Sequence, residues 1–584
     1  MRGARPHRAG VAAALAAALL LLASCGDDGP AVAHGGSGGG NGGGASAPSA
    51  APVSLALSDE GRASLARGGV PQPGGTLVQS ITVEYGTLNN ILRTTNSEET
   101  LCRLFLFPPL LDIDPDTLEL VPLVAAELPT LAADSRTYTW NLKPGIRWHR
   151  GDGSGPVEVT TADVVYAWRM ISDPTVRAER VRASLGPIES VRALDRYTFE
   201  VVAKRPYYRV ELEFGYNFRL MPAHLGAAEP AAFNDDPLGR DPVGYGPYRF
   251  AAWKSGEYVE LEKNRDWFAA DALPYWFDRY RVRFIADTAQ TPLLFERGEL
   301  SICPVNDCTR WEEMKREAKL APLATFHEYY LAQWLYIVWN QAHPAFADAR
   351  VRRAMTLLYP RELVKEKVYL GHAAVISTLG SVAAPEYDAS VAPLPFDPAA
   401  ARALLDEAGW IDRDGDGWRD RDGARFRFTL KHPRTPVPAI AVGNTWFQQQ
   451  LKEAGVEVEL LPVDSRQLFK ELGDRAFDAG QLSWVGDPRD DDLYDRFHSS
   501  AVAEGANYGG LADPETDRLL ELHRGAFVRE ERLALAHALH RRIAELQPVT
   551  PLYNPQSLVL VSTKLRNVKM RRLGARWFDW WQAP

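Results

Sequence analysis

Several places in the sequence bring together residue types that can do chemistry. Asp412-Arg413-Asp414-Gly415-Asp416-Gly417 has the opening of a calcium loop, where alternate carboxylates supply oxygen ligands. The twelfth position, where a bidentate Glu should complete the shell, is Gly423, and residues 425–430 beyond it read as a strand, not a helix. A structural turn is the expectation and calcium the alternative. Cys303 and Cys308 are spaced for a small disulfide loop. Two inert thiols fit equally, and no His/Cys cluster accompanies them to hold a metal. Gly244-Tyr245-Gly246 starts a dinucleotide-like pattern, but Arg249 holds its sixth position and no strand–turn–helix surrounds it. His327-Glu328 lacks the second His of H-E-x-x-H, and no G-x-S-x-G elbow occurs. With no nucleophile–base or metal motif left, the expectation is a protein that is not an enzyme and carries no cofactor.

Cys25 has a different chemistry. Arg2, Arg5 and Arg8 precede a short apolar run at 11–22, and Leu22-Ala23-Ser24-Cys25 follows at once. This is a secretory signal layout with a thiol at the cut. It resembles the bacterial lipobox, in which the Cys is acylated and becomes the new N-terminus. A plain signal peptide or a short membrane anchor are the other readings; the position of the Cys favours the lipoprotein. Residues 1–24 are thus expected to be removed. Residues 25–72, with a Gly-rich tract at 35–44, form a flexible Gly/Ser/Ala/Pro tether with little apolar surface to bury. The expected location is extracytoplasmic, on a bacterial membrane through the lipid.

Composition narrows the rest. The 584 residues are 46% hydrophobic and 24% charged, as in globular chains, despite 46 Gly and 41 Pro. The net charge of −9, or −12 once three Arg leave with residues 1–24, argues against a nucleic-acid partner. No apolar run reaches the ~18 residues of a membrane span. Sixteen Trp, 21 Tyr and 22 Phe must be shared between core and any binding cleft.

The elements that would position these residues alternate between strands and helices. Residues 74–78, 137–142, 197–202, 248–250, 258–261 and 456–460 read as strands. A helix starts at Thr161 and stops at Asp173-Pro174; others cover 398–408 and 444–454, ended by Gly409 and Gly455, and 529–546. Cys102 falls in a helical stretch and is expected in the core. No 20–50-residue repeat is present. A mixed α/β architecture follows.

Six phrases in order resemble the extracytoplasmic solute-binding proteins of peptide-type ABC transporters, the oligopeptide/dipeptide-binding family 5. They are Trp148 to Gly153 with Val157 to Trp168; Gly244-Tyr245-Gly246-Pro247-Tyr248 with Trp253, Gly256 and Leu261 to Asn264; Asn340, Phe346, Asp348 and Val351-Arg352-Arg353-Ala354; Leu404 to Trp410; Phe477-Asp478 to Asp487; and Asn507-Tyr508 with Asp513 to Asp517. The likeness runs over about residues 74–565. Departures are Tyr359-Pro360-Arg361 where D-R is usual, Gly298-Glu299-Leu300-Ser301 for G-x-I-D, and the extra Arg150.

The resemblance implies a two-lobed periplasmic binding protein fold, class II-like with an extra subdomain and a hinge. Lobe I would comprise 73–112, 203–334 and 551–584, the extra subdomain 113–202, and lobe II 335–550. The hinge crossings would fall near 326–340 and 550–555. It also implies capture of short peptides in the interlobe cleft, delivery to separate ABC permease subunits, and a monomer. Asp487 falls at the family's amine-binding position, with Trp484 walling the same pocket. Gln481 stands where some peptide binders put Arg, and can hydrogen-bond but not neutralise a ligand. Asn306, Tyr553 and Thr95 are cleft candidates by the same correspondence. Trp148 and Trp168 are expected in the core. The rival readings keep the fold but bind a sugar, opine, metal chelate or signalling peptide; or make the chain an envelope lipoprotein peptidase or a structural lipoprotein.

Overall fold

The computed structural model describes residues 71, 73–151, 153–330, 332–434, 437–486, 492–571, 574–575 and 579–583. Cys25, the signal segment and most of the expected tether lie outside them.

One strand, Val549–Ser562, runs through both halves of the molecule. It is the hub of an eight-stranded sheet ordered Ile302–Pro304, Val549–Ser562, Gln333–Trp339, Ala479–Val485, Arg427–Pro433 and Glu457–Val463, with Ala324–Tyr330 and Ala373–Val375 as further partners of the long strand. Its first part pairs antiparallel with Gln333–Trp339, from Val338↔Val549 to Leu335↔Tyr553. Its second part pairs with Ala324–Tyr330, from Tyr330↔Gln556 to Ala324↔Ser562. The two partners are successive strands of the chain, so both crossings between the halves lie side by side. Asn554, fully buried, pins them: its Nδ2 donates to the Gln333 carbonyl (2.7 Å), and its Oδ1 accepts from the Val382 amide (3.0 Å).

Period-two alternation sorts the strand side chains between cores. Leu335, Ile337 and Trp339 enter one cluster with Phe346, Phe428 and Leu451. Trp334, Tyr336 and Val338 enter another with Leu482, Leu520 and Leu539. These two cores flank the sheet of one lobe. In the other lobe, Val559 and Val561 of the long strand join a large core, and Leu558 and Leu560 join a small one around Trp311.

That large core covers two four-stranded sheets. The first is ordered Thr76–Ile81, Arg279–Phe284, Tyr258–Lys263 and Tyr248–Lys254; the second Thr130–Leu131, Thr137–Asn141, Thr198–Ala203 and Ile188–Ala193. Residues 113–202 therefore hold a sheet of their own but share a core with their neighbours: Trp140 and Phe199 belong to the same cluster as Phe105 and Tyr280.

The motif residues act as scaffold. Asp163, buried at the start of helix Thr161–Ser172, accepts from the Trp148 indole N–H (3.3 Å) and from the amides of Thr160 (2.9 Å) and Ala223 (3.0 Å). Thr160, one residue before the expected helix start, is the N-cap. Gly246 is required by a close approach, since a Cβ there would lie 2.3 Å from the Phe105 carbonyl oxygen. Trp148 and Cys102 are buried; Trp168 is half-buried against the same core. Trp580, near the C-terminus, is also in that core.

Candidate functional site

The strand Ala479–Val485 ends at the hinge. Gln333↔Val485 and Trp334↔Trp484 are in register, and the Gly486 amide donates to the Ala332 carbonyl (2.8 Å). Gly486 presses on the Trp334 ring; a Cβ would lie 2.0 Å from its Cη2. Trp484 is half-buried, and the guanidinium of Arg496 lies 4.1 Å from its ring centroid and 5.8 Å from that of Trp334. A partly exposed indole can stack on a flat or apolar ligand group. Asp487 lies outside the described residues.

The other expected site residues divide into exposed and buried. Asn306 is exposed and follows strand Ile302–Pro304, whose ladder with Val559–Val561 climbs toward the crossing. The next residue, Asp307, caps helix Cys308–Arg316 through Oδ1, which accepts from the Thr309 (2.8 Å) and Arg310 (3.1 Å) amides. Thr95 is exposed and is the N-cap of helix Asn96–Leu101; its Oγ1 accepts from the Glu98 amide (3.2 Å). Gln481 is 1% exposed, and its Oε1 accepts from Asn444 Nδ2 at 2.7 Å inside its lobe. Tyr553 is 1% exposed, donates to the Arg361 carbonyl (3.3 Å) and packs on Tyr369. Burial first, then the neighbouring Tyr359 and Tyr369 hydroxyls, push the Tyr553 phenol well above its usual range, so it stays neutral. Thus Trp484 and Asn306 come to hinge-side strand ends, whereas Gln481 and Tyr553 are enclosed within a lobe.

Sequence reasoning missed Glu98. Buried at 1% exposure, its carboxylate accepts from the amides of Gly86 (2.7 Å), Thr94 (2.7 Å) and Thr95 (2.9 Å), and so fixes the loop beside Thr95. The T-x-x-E spacing of a capping box was the available signal. It also missed Arg496, which no sequence pattern links to Trp484.

Two groups among the described residues bring metal-type ligands within 4.8 Å: Glu312, Glu328 and His372, and Asp412, Asp414 and Asp416. In the first, Lys315 Nζ already sits 2.9 Å from Glu312 Oε1 and 2.5 Å from Glu328 Oε1, a built-in counter-charge. In the second, Asp412 accepts from the Gly415 (2.8 Å) and Gly417 (3.0 Å) amides, and Asp416 from the Trp418 amide (2.9 Å). These are the hydrogen bonds of a self-supporting turn. Cys303 and Cys308 are free thiols, and burial pushes the first to about 11 and the second to about 12. No helix among the described residues is long and apolar enough to cross a membrane.

Residues 119–504 match the model of the bacterial extracellular solute-binding proteins, family 5 Middle. The chain belongs to this family. The family 5 chain is 28% identical over 519 residues to the oligopeptide-binding protein AppA of Bacillus subtilis, covering 86% of this chain and 90% of that one. It is 27% identical over 379 residues to the glutathione-binding protein GsiB of Pectobacterium atrosepticum, covering 62% and 66%. The structure of Bacillus subtilis AppA in complex with a nonapeptide matches with a TM-score of 0.73 at 26% identity, over 88% of this chain and all (100%) of that one. NikZ of Campylobacter jejuni in complex with Ni(L-His) matches with a TM-score of 0.70 at 21% identity, over 87% and 99%, a likeness of fold alone. The two-lobed α/β fold is that of this family, and the expected membership is borne out.

Proposed function

We propose that this family 5 protein is a lipid-anchored receptor that captures short peptides between its lobes and hands them to the permease of an ABC importer. The observation that carries the reading is the likeness to a nonapeptide-bound oligopeptide-binding protein over its whole length. A peptide held between lobes pairs its backbone with strand-edge groups, which gives affinity without reading sequence. In this reading Asp487 pairs the ligand ammonium, because an unpaired buried charge is costly. Trp484 walls the same pocket, and Asn306 and Thr95 offer polar groups. Lobe I comprises 73–112, 203–334 and 551–584, lobe II 335–550, with 113–202 attached to lobe I. Cys25 carries the lipid, the protein is a monomer, and no reaction is catalysed.

The test is to denature the purified protein and identify what co-purified by mass spectrometry. Short peptides of mixed sequence with free amino termini are expected. A single sugar, opine or metal chelate would overturn the peptide reading while leaving the receptor. For the amine pocket, Asp487→Asn should weaken free-amine peptides far more than N-acetylated ones. Equal affinity of the parent protein for both forms would remove that role.

A further inference from the structure

The lobes also meet at a place that involves no crossing strand. Tyr207 belongs to the large core of the first lobe, and Leu493 and Phe497 to a core of the second. Between them, the Tyr207 hydroxyl donates to Asp492 Oδ2 at 3.0 Å. Asp492 is held within its own lobe by Arg524, whose Nε and Nη2 lie 2.8 and 2.7 Å from the same oxygen. Around this bond the first lobe presents the Tyr207 and Tyr208 rings, Glu119 and the Arg209 guanidinium, and the second presents Arg524, Arg529 and Arg532. The Arg524 guanidinium lies 5.3 Å from the Tyr207 ring centroid, and that of Arg532 lies 4.1 Å from the Tyr208 centroid. The Tyr208 amide donates to the Arg524 carbonyl (3.2 Å), its ring meets His523 edge-on, and Arg529 pairs with Glu119. These are polar and cation–π contacts, which can part and re-form in water at small cost, unlike the interdigitated apolar cores on either side.

We propose that Tyr207 and Asp492 form a clasp between the lobes, which lengthens ligand residence by holding the closed form. It rests on the closing-receptor reading above, but not on which solute binds. Arg524 keeps the carboxylate in place in its own lobe, so opening breaks the Tyr207 bond, the ring–cation contacts, the Tyr208 amide–Arg524 carbonyl hydrogen bond and the Arg529–Glu119 pair, and draws Asp492 away from Arg209. Burial works against the charged carboxylate, yet Arg524, with Arg209 of the first lobe nearby, holds Asp492 below the usual carboxylate range. It therefore stays an ionised acceptor at neutral pH.

The experiment measures the distance between spin labels at two exposed positions, Leu194→Cys on the first lobe and Phe469→Cys on the second, with Cys308 replaced by Ser. It uses protein refolded from denaturant to remove any carried ligand. Tyr207→Phe keeps the packed ring and removes only the hydroxyl; its short-distance population should fall about threefold to tenfold relative to the parent. Asp492→Asn should cause a similar loss, and the double variant no more than either. Equal distributions in the parent and Tyr207→Phe, or losses that add, would overturn the clasp. Should Asp492→Asn fail to fold, Tyr207→Phe decides alone, since it keeps the ring and removes only the hydroxyl that reaches Asp492. If the short population falls as described but no peptide binds, the clasp stands and the peptide reading fails.

Discussion

The Arg496 guanidinium lies 4.1 Å from the centroid of the Trp484 ring, and Arg496 is itself buried at 7% exposure. A buried cation on one face of an indole fixes the ring's orientation, and the partly exposed ring can still meet a ligand. Trp484→Ala should weaken ligand binding by roughly tenfold, the scale of one lost aromatic contact. Trp484→Phe should lose most of the ligand-induced change in tryptophan fluorescence. Both are measured by titrating the peptides recovered from the protein, and unchanged affinity in the first variant would place the ligand elsewhere.

Arg352 is a second buried cation, with a different task. Its guanidinium donates to the carbonyls of Phe346 (2.7 Å), Ala347 (3.0 Å), Leu546 (2.8 Å) and Gln547 (3.0 Å). It thereby closes the end of helix Arg529–Leu546, whose C-cap Gln547 is in the left-handed region (φ 46°). Burial pushes Arg352 down to about 10, against partial support from Asp348. Arg352→Met should cost about 2–4 kcal/mol, since several enclosed carbonyls lose their donor. Urea unfolding checks this; a loss below 1 kcal/mol would mean that water replaces the guanidinium.

Gln481 and Asn444 share one enclosed hydrogen bond. Gln481→Leu should destabilise by about 1–3 kcal/mol because the Asn444 amide is left unpaired. Replacing both by Leu should recover part of that loss, as seen in a double-mutant cycle on melting temperature. If Gln481→Leu instead changes ligand affinity at constant stability, the side chain reaches the ligand.

His149 gives the pH dependence. Burial lowers its imidazole to about 4, partly countered by the hydrogen bond with the Gly246 carbonyl and deepened by Arg249. Its unfolded value is near 6.5. Between pH 6.5 and 4 the unfolded chain takes up a proton that the folded chain resists, so stability falls as pH drops through that window. The loss is on the order of 1–3 kcal/mol, at the lower end because the residue is partly exposed. His149→Asn should flatten this part of the stability–pH curve, and an identical curve in the variant would assign the slope to other groups.

The fold was legible because the recurring phrases are its joints. Trp148 with Asp163, Gly246 against Phe105, and Arg352 on four carbonyls each require one residue type, whatever the ligand. The strands and helices followed from their two- and 3.6-residue periods, with boundaries off by a few residues: helix Pro438–Glu453 starts six residues before the expected 444. The candidate site was less legible for the same reason. Gln481 and Tyr553 were named by position alone, and position does not say which face of a strand a side chain takes. Ile337↔Gln481 register places Gln481 against Asn444 instead. Tyr207 and Asp492 are 285 residues apart, and nothing local in either segment announces the other.

The long strand Val549–Ser562 has a consequence for biosynthesis. A chain made from its N-terminus cannot complete the eight-stranded sheet until residue 562 is available, since Gln333–Trp339 and Ala324–Tyr330 both wait for the same partner. Up to that point Gln333–Trp339 and Ala324–Tyr330 each lack the neighbour they pair with. The whole chain therefore stays short of its final fold until almost all of it has been synthesised, a state suited to passage through a narrow export channel.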